Sequence, residues 1–156
     1  MLKGYVDAYL TFGEQHFLDV AIENAKFIVK KQLRKDGGLN HSYKKGHSTI
    51  NAYLEDYAFI VDAFLKLYEA TFDVKWLKEA DALMAYSIEH FYDDESGMFF
   101  FTSDEDPALI ARKMEVNDNV IPASNSVMAN NLFLLSHHYG REDYKDKAVQ
   151  MLNLSL

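Results

Sequence analysis

The sequence contains no cysteine among its 156 residues. A disulfide framework, a zinc site with thiolate ligands and a thiol redox centre are therefore excluded within this chain. The first residues also lack the apolar core of a secretory signal, and no hydrophobic run approaches the length of a membrane span. We therefore expect a cytoplasmic protein that makes no membrane contact.

Positive charge is scarce relative to negative charge. The chain has 16 lysines and arginines against 24 aspartates and glutamates, which gives a formal net charge of −8. The average field of such a protein repels phosphate backbones, so no nucleic-acid partner is expected. The basic run at residues 30–35 suits the last turn of a helix, where cations complement the helix dipole.

Sequence motifs for cofactor chemistry are also missing. The chain has no phosphate-binding loop, no dinucleotide fingerprint and no nucleophile elbow. His41 and His47 do not have a recognised metal-ligand spacing, and His137 and His138 are adjacent. We therefore expect neither a cofactor nor a metal ion.

What remains is an apolar, aromatic-rich chain with an internal repeat. Hydrophobic residues make up 49% and aromatic residues 14% of the sequence, which is typical of one packed globular domain at this length. Phe17 and Trp76 start similar segments 59 positions apart, and the glycine motifs at Gly38 and Gly97 share this offset. Two independent landmarks at the same offset indicate a true repeat.

Apolar residues recur at helical spacing through most of the chain. This pattern predicts six helices, over residues 2–12, 14–33, 52–72, 74–92, 125–139 and 142–154. The connections after helices one, three and five are short, whereas residues 34–51 and 93–124 form long connections. Within the second long connection we expect a β-hairpin that pairs residues 98–103 with 109–116.

This alternation of short and long connections sets the geometry. Successive helices run antiparallel, so both long connections lie at the same end of the array, here named the long-loop end, beside the N-termini of helices three and five. Helices one, three and five are the more apolar, as inner helices are, and helices two, four and six carry more charge. The sequence thus predicts an all-α fold, an α/α hairpin array forming about half of an (α/α)6 toroid, as one domain over residues 1–156.

The candidate catalytic residues lie at the long-loop end. Glu55 and Asp56 occur at the start of helix three, where carboxylates can act as general acid and base or hold sugar hydroxyls. Alternatively, the two acids only stabilise the helix start, by about 0.3–1 kcal/mol each. His41, in the first long connection, can shuttle protons near neutral pH or serve as an ordinary hydrogen-bonding residue.

Six further residues are predicted to contact a substrate from the same end: Tyr43, Tyr57, Arg112, Asp118, Asn125 and Ser126. The start of helix five can also be explained by capping alone, through Ser124 or Asn125. One of the amides Asn130 and Asn131 is expected to face the inner surface and to need a partner. The aromatic run at residues 99–101 suits either a sugar-stacking surface or the packing of a short strand.

Four segments resemble the C-terminal helical region of YyaL-type thioredoxin-domain-containing proteins, which are relatives of the spermatogenesis-associated proteins. The segments are His41-Ser42-Tyr43, Leu54 to Phe59, Tyr68 to Asp73 and Pro122 to Val127. The resemblance implies an N-terminal thioredoxin-like domain, not expected within this chain, followed by an α/α toroid. That toroid is similar to those of N-acylglucosamine 2-epimerases and six-hairpin glycosidases, and about half of its hairpins are expected here.

Two functional hypotheses follow. In the first, the chain is part of a carbohydrate-handling toroid that binds a small sugar and supports hydrolysis or epimerisation, without activity on its own. In the second, the helical array is a scaffold or interaction module without chemistry.

An array of three hairpins also has two open flanks, and these predict a homodimer unless the long connections fold back to seal the core. The flank residues expected to be exposed are Leu2, Tyr5, Val6, Tyr9, Leu10, Tyr144, Ala148, Met151 and Leu152.

Overall fold

The computed structural model describes residues 1–107, 112–117 and 120–154. Within this part of the chain it contains six helices: α1 (Leu2–Phe12), α2 (Gln15–Lys31), α3 (Leu54–Thr71), α4 (Val74–Phe91), α5 (Ser124–Tyr139) and α6 (Glu142–Leu154). Every helix end lies within two residues of its predicted position. None of the described helices is both long enough and apolar enough to cross a bilayer.

The helices form three antiparallel hairpins, α1–α2, α3–α4 and α5–α6. The first helix of each hairpin ends on a residue in the left-handed conformation, which turns the chain sharply into the next helix. These residues are Gly13 (φ 72°), Phe72 (φ 54°) and Gly140 (φ 65°). In each case the backbone N–H donates to the carbonyl four residues earlier and closes the last helical turn.

Helix α3 is the centre of the array. It packs against its partner α4 and against α1 and α5, so α1, α3 and α5 form the inner arc, as predicted. The core is rich in large side chains that are at most 1% exposed, including Tyr57, Phe64, Phe91, Phe99 and Tyr144. Burial of each such side chain is worth about 1.5–3 kcal/mol, and the five come from α3, α4, α6 and β4, so inner and outer helices share one core.

Each long connection contains one short β-hairpin. In the first, β1 (Tyr43–Lys44) pairs with β2 (His47–Ser48) around a turn in which Lys45 and Gly46 both have positive φ. Two such residues are typical of a type I′ turn. The sequence analysis did not predict this hairpin.

The second hairpin is present but lies earlier than predicted. Strand β3 (Tyr92–Asp93) directly follows α4 and pairs with β4 (Met98–Phe99). The turn between them ends at Gly97, whose φ is 70°. Part of the predicted second arm lies outside the described residues. Within the described part, one backbone hydrogen bond of 2.7 Å, from Phe101 N–H to the Lys113 carbonyl, joins the two predicted arms.

The prediction of exposed apolar flanks is largely wrong. Five of the nine residues are at most 5% exposed: Leu2, Val6, Tyr144, Ala148 and Met151. They pack into the common core because each terminal helix already buries its apolar stripe within the array. Leu10 and Leu152 remain about half exposed, at 52% and 53%. The homodimer stays a prediction, with a smaller apolar driving force than the sequence indicated.

Candidate functional site at the long-loop end

The two long connections meet at one end of the array and are held together by a group of polar side chains that we name the loop clamp: Arg34, Asn51, Tyr86, Glu105 and Asp106. The Arg34 guanidinium donates to the Asn51 side chain at 2.9 Å and to Glu105 at 2.6 Å. Asn51 in turn donates to Asp106 at 2.9 Å, and the Tyr86 hydroxyl donates to Glu105 at 2.7 Å. The hydrogen bonds from Arg34 and then Tyr86 hold the pKa of the Glu105 carboxyl below its ordinary value. The clamp therefore fixes both connections beside the start of α3.

Asp56 connects the start of α3 to the first long connection. Its Oδ2 accepts a hydrogen bond of 3.0 Å from the Tyr53 backbone N–H and one of 2.8 Å from His41 Nδ1. The His41 ring also lies edge-on to the Tyr53 ring, with 5.4 Å between centroids. The hydrogen bond and the negative charge of Asp56 raise the pKa of His41. The Asp56 carboxylate thus both caps α3 and binds a titratable side chain, that of His41.

The Glu55 carboxylate lacks the hydrogen bonds that the Asp56 carboxylate accepts. Among the described residues, no side chain or backbone group forms a hydrogen bond or ion pair with its half-buried carboxylate. Burial, and then the charges of Asp56 and Glu115, raise the pKa of Glu55. Adjacent residues of a helix point about 100° apart, so the two carboxylates face different surroundings. A carboxyl with a raised pKa beside one held by hydrogen bonds is an arrangement suited to acid and base roles.

Glu115 is a residue of this end that the sequence analysis missed. Its Oε2 accepts hydrogen bonds from the Ser124 backbone N–H (3.2 Å) and from the Ser124 hydroxyl. It therefore caps α5 from nine residues upstream. No local pattern predicts such a cap, because the usual signal is a side chain at the residue preceding the helix, which here is Ala123.

Three of the predicted substrate contacts have structural roles instead. Tyr57 is fully buried, its hydroxyl accepts a 2.7 Å hydrogen bond from Leu39 N–H, and its ring stacks on Tyr86. Asn125 is 3% exposed and bonds to both backbone groups of Phe99. The Arg112 guanidinium donates to backbone carbonyls and lies 4.2 Å from the centroid of the Phe100 ring. These three side chains therefore help to hold the loops in place, and Arg112 Nε is buried without a hydrogen-bond partner among the described residues.

Of the three remaining predicted substrate contacts, the structure describes Tyr43 and Ser126. Tyr43 packs edge-on against Phe27 of α2, with 5.1 Å between ring centroids, and so faces away from the carboxylates. Ser126 is exposed on α5 and lines a depression on the inner arc. Asp118 lies outside the described residues.

Of the two amides considered on α5, Asn131 is buried and donates to the Ala58 carbonyl at 2.8 Å, whereas Asn130 is exposed.

In the aromatic run, Phe99 of β4 is fully buried and Phe101 stacks on Tyr53, so strand and loop packing explain these two residues. No group of three potential metal ligands occurs in the described ranges.

Two depressions are lined by sequence neighbours of the carboxylates, Tyr53 in one and Phe59 in the other. One, of about 250 Å³, lies between the long connections and is lined by Ile50, Asn51, Tyr53, Thr102, Asp106 and Pro107. The other, of about 360 Å³, lies on the inner arc and takes its walls from α1, α3 and α5. The long-loop end therefore carries two carboxylates of unlike environment, with one depression at Tyr53 and another that includes Phe59, one helical turn further along α3.

The His41–Asp56 contact gives a pH-dependent prediction. The pKa of His41 is raised above its unfolded value of about 6.5, so the contact contributes its full stability below that pH. This contribution is lost as the pH rises through the folded-state pKa. In an NMR titration we expect the His41 pKa to fall in an Asp56→Asn variant and to stay unchanged in the control Asp146→Asn on the exposed face of α6. An unchanged His41 pKa in Asp56→Asn would show that the contact does not form in solution.

Comparison with curated sequences finds similar segments in much longer proteins. The chain is 31% identical to spermatogenesis-associated protein 20 of Homo sapiens over 162 aligned residues, which cover 97% of this chain and 21% of that protein. The protein of the same name from Rattus norvegicus is 30% identical, with 97% of this chain and 20% of that protein covered. The chain thus spans about a fifth of the length of the curated relatives it matches. No family model matches it.

Comparison with solved structures finds α/α toroids. The chain superimposes on a glycoside hydrolase family 76 mannosidase of Bacteroides thetaiotaomicron with a TM-score of 0.78 and 16% identity, covering 97% of this chain and 40% of that one. For cellobiose 2-epimerase of Bacillus thermoamylovorans the TM-score is 0.77 at 16% identity, with coverage of 98% and 41%.

A third structure is an inactive variant of the alpha-1,6-mannanase of Salegentibacter, in which two consecutive aspartates are replaced by asparagine, in complex with alpha-1,6-mannotriose. Its TM-score is 0.75 at 17% identity, with coverage of 98% of this chain and 44% of that one. The chain therefore has the fold of part of an α/α toroid, and its sequence is similar to one segment of the spermatogenesis-associated protein 20 homologues.

Proposed function

We propose that the long-loop end binds a small carbohydrate, and that Glu55 and Asp56 with His41 are the acid and base groups of a hydrolysis or epimerisation reaction. The observation that carries this proposal is the contrast between the two carboxylates. Asp56 receives two hydrogen bonds, whereas Glu55 receives none from the described residues and has a raised pKa. Both reaction classes need one group that gives a proton and one that accepts it.

The similar structures support the same class of ligand. Two of them are named as a mannosidase and a cellobiose epimerase, and a third is inactivated by replacing two consecutive aspartates. In this chain the consecutive carboxylates at the start of an inner helix are Glu55 and Asp56. The chain covers about 40% of these toroids, so we assign sugar binding to the isolated chain and turnover to the longer protein.

Isothermal titration with alpha-1,6-mannotriose and cellobiose tests the proposal. We expect one of them to bind the wild-type chain and to bind a Glu55→Gln variant about tenfold more weakly, because a hydrogen bond to a charged acceptor contributes about 1.5–3 kcal/mol. The matched control is Glu95→Gln, in the exposed turn between β3 and β4, which should bind as the wild type does. If neither sugar bound, or if Glu55→Gln bound as tightly as the control, a scaffold without a sugar site would be the better description.

A further inference from the structure

The helical face that presents Glu55 continues along the inner side of α3. Phe59 and Asp62 follow Glu55 at spacings of four and seven residues, which places them on the same face about 6 Å and 10 Å further along the helix axis. Both residues line the depression of about 360 Å³ on the inner arc. The other walls come from Lys3 of α1 and from Ser126 and Asn130 of α5, so the depression exists only in the assembled array. We name it the inner-wall depression.

An ion pair at the edge of this depression is not explained by stability. Asp62 is 8% exposed, and its Oδ2 lies 3.0 Å from the Lys3 ammonium. The Lys3 side chain is 43% exposed, and ion pairs open to solvent contribute only about 0–1 kcal/mol. The pair leaves donors on Lys3 and the Asp62 Oδ1 acceptor without a further hydrogen-bond partner among the described residues. Both residues line the depression.

The opposite wall also offers unused hydrogen-bonding groups. Ser126 and Asn130 are exposed, one helical turn apart on α5, and neither side chain bonds to any other described residue. Between the polar walls lies the half-buried ring of Phe59. An apolar floor with a few converging polar groups is typical of small-molecule sites, and the volume falls within the range of about 300–1,000 Å³ for such sites.

We propose that the inner-wall depression binds a second ring of a neutral saccharide, next to the ring held at Glu55. This inference rests on the proposed function. Phe59 supplies the surface for the apolar face of the ring, and Lys3, Asp62, Ser126 and Asn130 supply donors and acceptors for its hydroxyls. The ligand is neutral because the Lys3 and Asp62 charges balance each other, while Glu55 and Asp56 in the first turn of α3 repel an acidic sugar.

A single-ring and a three-ring ligand distinguish binding in the inner-wall depression from binding at Glu55. The probes are methyl alpha-mannoside and alpha-1,6-mannotriose, and the variant is Asn130→Ala, an exposed change that leaves the core intact. We expect Asn130→Ala to bind mannotriose about tenfold more weakly than the wild type and to bind the single ring with unchanged affinity. The matched control is Asn153→Ala on the exposed face of α6, which should match the wild type for both ligands.

The outcomes distinguish the two proposals. If mannotriose binding is weakened by Glu55→Gln but not by Asn130→Ala, the inner-wall subsite is wrong and the proposed function stands. If the wild type binds neither probe, the subsite is overturned, and the proposed function is overturned with it when cellobiose does not bind either. If Asn153→Ala weakens mannotriose binding as much as Asn130→Ala does, the effect is not specific to the depression and the subsite is again overturned.

Discussion

An Asn125→Ala variant is expected to lose about 3 kcal/mol of unfolding free energy. The Asn125 side chain donates to the carbonyls of Phe99 (3.0 Å) and Glu115 (2.9 Å) and accepts from Phe99 N–H (2.8 Å). Truncation leaves these backbone groups unpaired in a part of the structure where Asn125 is 3% exposed. Each unsatisfied buried group costs about 1–3 kcal/mol, and partial relaxation of the three groups keeps the total near the lower end of their summed range.

The measurement for Asn125 is urea denaturation followed by circular dichroism. Asn130→Ala is the matched control, because it makes the same chemical change on the exposed side of the same helix and should shift the free energy by less than about 0.5 kcal/mol. Equal stabilities for the two variants would show that Asn125 does not join the second hairpin to α5 in solution.

Removing Arg34 is expected to have the second largest effect, a loss of about 2 kcal/mol in an Arg34→Met variant. Arg34 makes hydrogen bonds to Asn51, Tyr86 and Glu105 within the loop clamp, and its side chain is 22% exposed. Methionine keeps much of the side-chain volume but leaves Glu105 without its cationic partner. Hydrogen bonds to charged groups contribute about 1.5–3 kcal/mol each, and solvent screening at this partly exposed position reduces their sum.

Hydrogen exchange shows where the loss of Arg34 acts. The Asp104 N–H donates to the His90 carbonyl of α4, and the Asp106 N–H donates to the Ser103 carbonyl. Because these bonds hold the second long connection, we expect both amides to exchange faster in Arg34→Met. Amides in the core of α3 should be affected only through the change in global stability. Lys35→Met, an exposed neighbour, is the control and should change neither quantity. Unchanged exchange at residues 104–106 would contradict the role of the clamp in holding the two connections together.

The repeat in the sequence predicted more of the structure than the separate helix patterns did. Gly38 and Gly97, the glycines that share the 59-residue offset, both lie against the end of a long, flexible side chain, which would have to move to admit a Cβ. A Cβ on Gly38 would lie 2.6 Å from Arg34 Nη2, and one on Gly97 would lie 2.4 Å from Gln150 Nε2. Gly97 also has a positive φ, which favours glycine. The offset therefore places a glycine in close contact with a side chain in each of the two long connections.

The contacts within the site could be predicted only in part. The position of Glu55 and Asp56 at the start of an inner helix follows from local periodicity, and so does the common end of the long connections. The Arg34–Glu105 contact spans 71 residues, and the Glu115 cap comes from a loop with no regular pattern. Such long-range pairings leave no periodic signal in the sequence. For the same reason Tyr57, next to the acidic pair, was expected to contact substrate, whereas it packs in the core.

The most direct test of a carbohydrate site at the long-loop end is backbone amide mapping by NMR during titration of the wild-type chain with alpha-1,6-mannotriose. The predicted result is a set of shifted amides at residues 41, 53–59, 115 and 124–130, with little change at the opposite end. Shifts centred on the short turns at Gly13, Asp73 and Gly140 would contradict the account, as would the absence of any saturable shift at millimolar concentrations of both mannotriose and cellobiose.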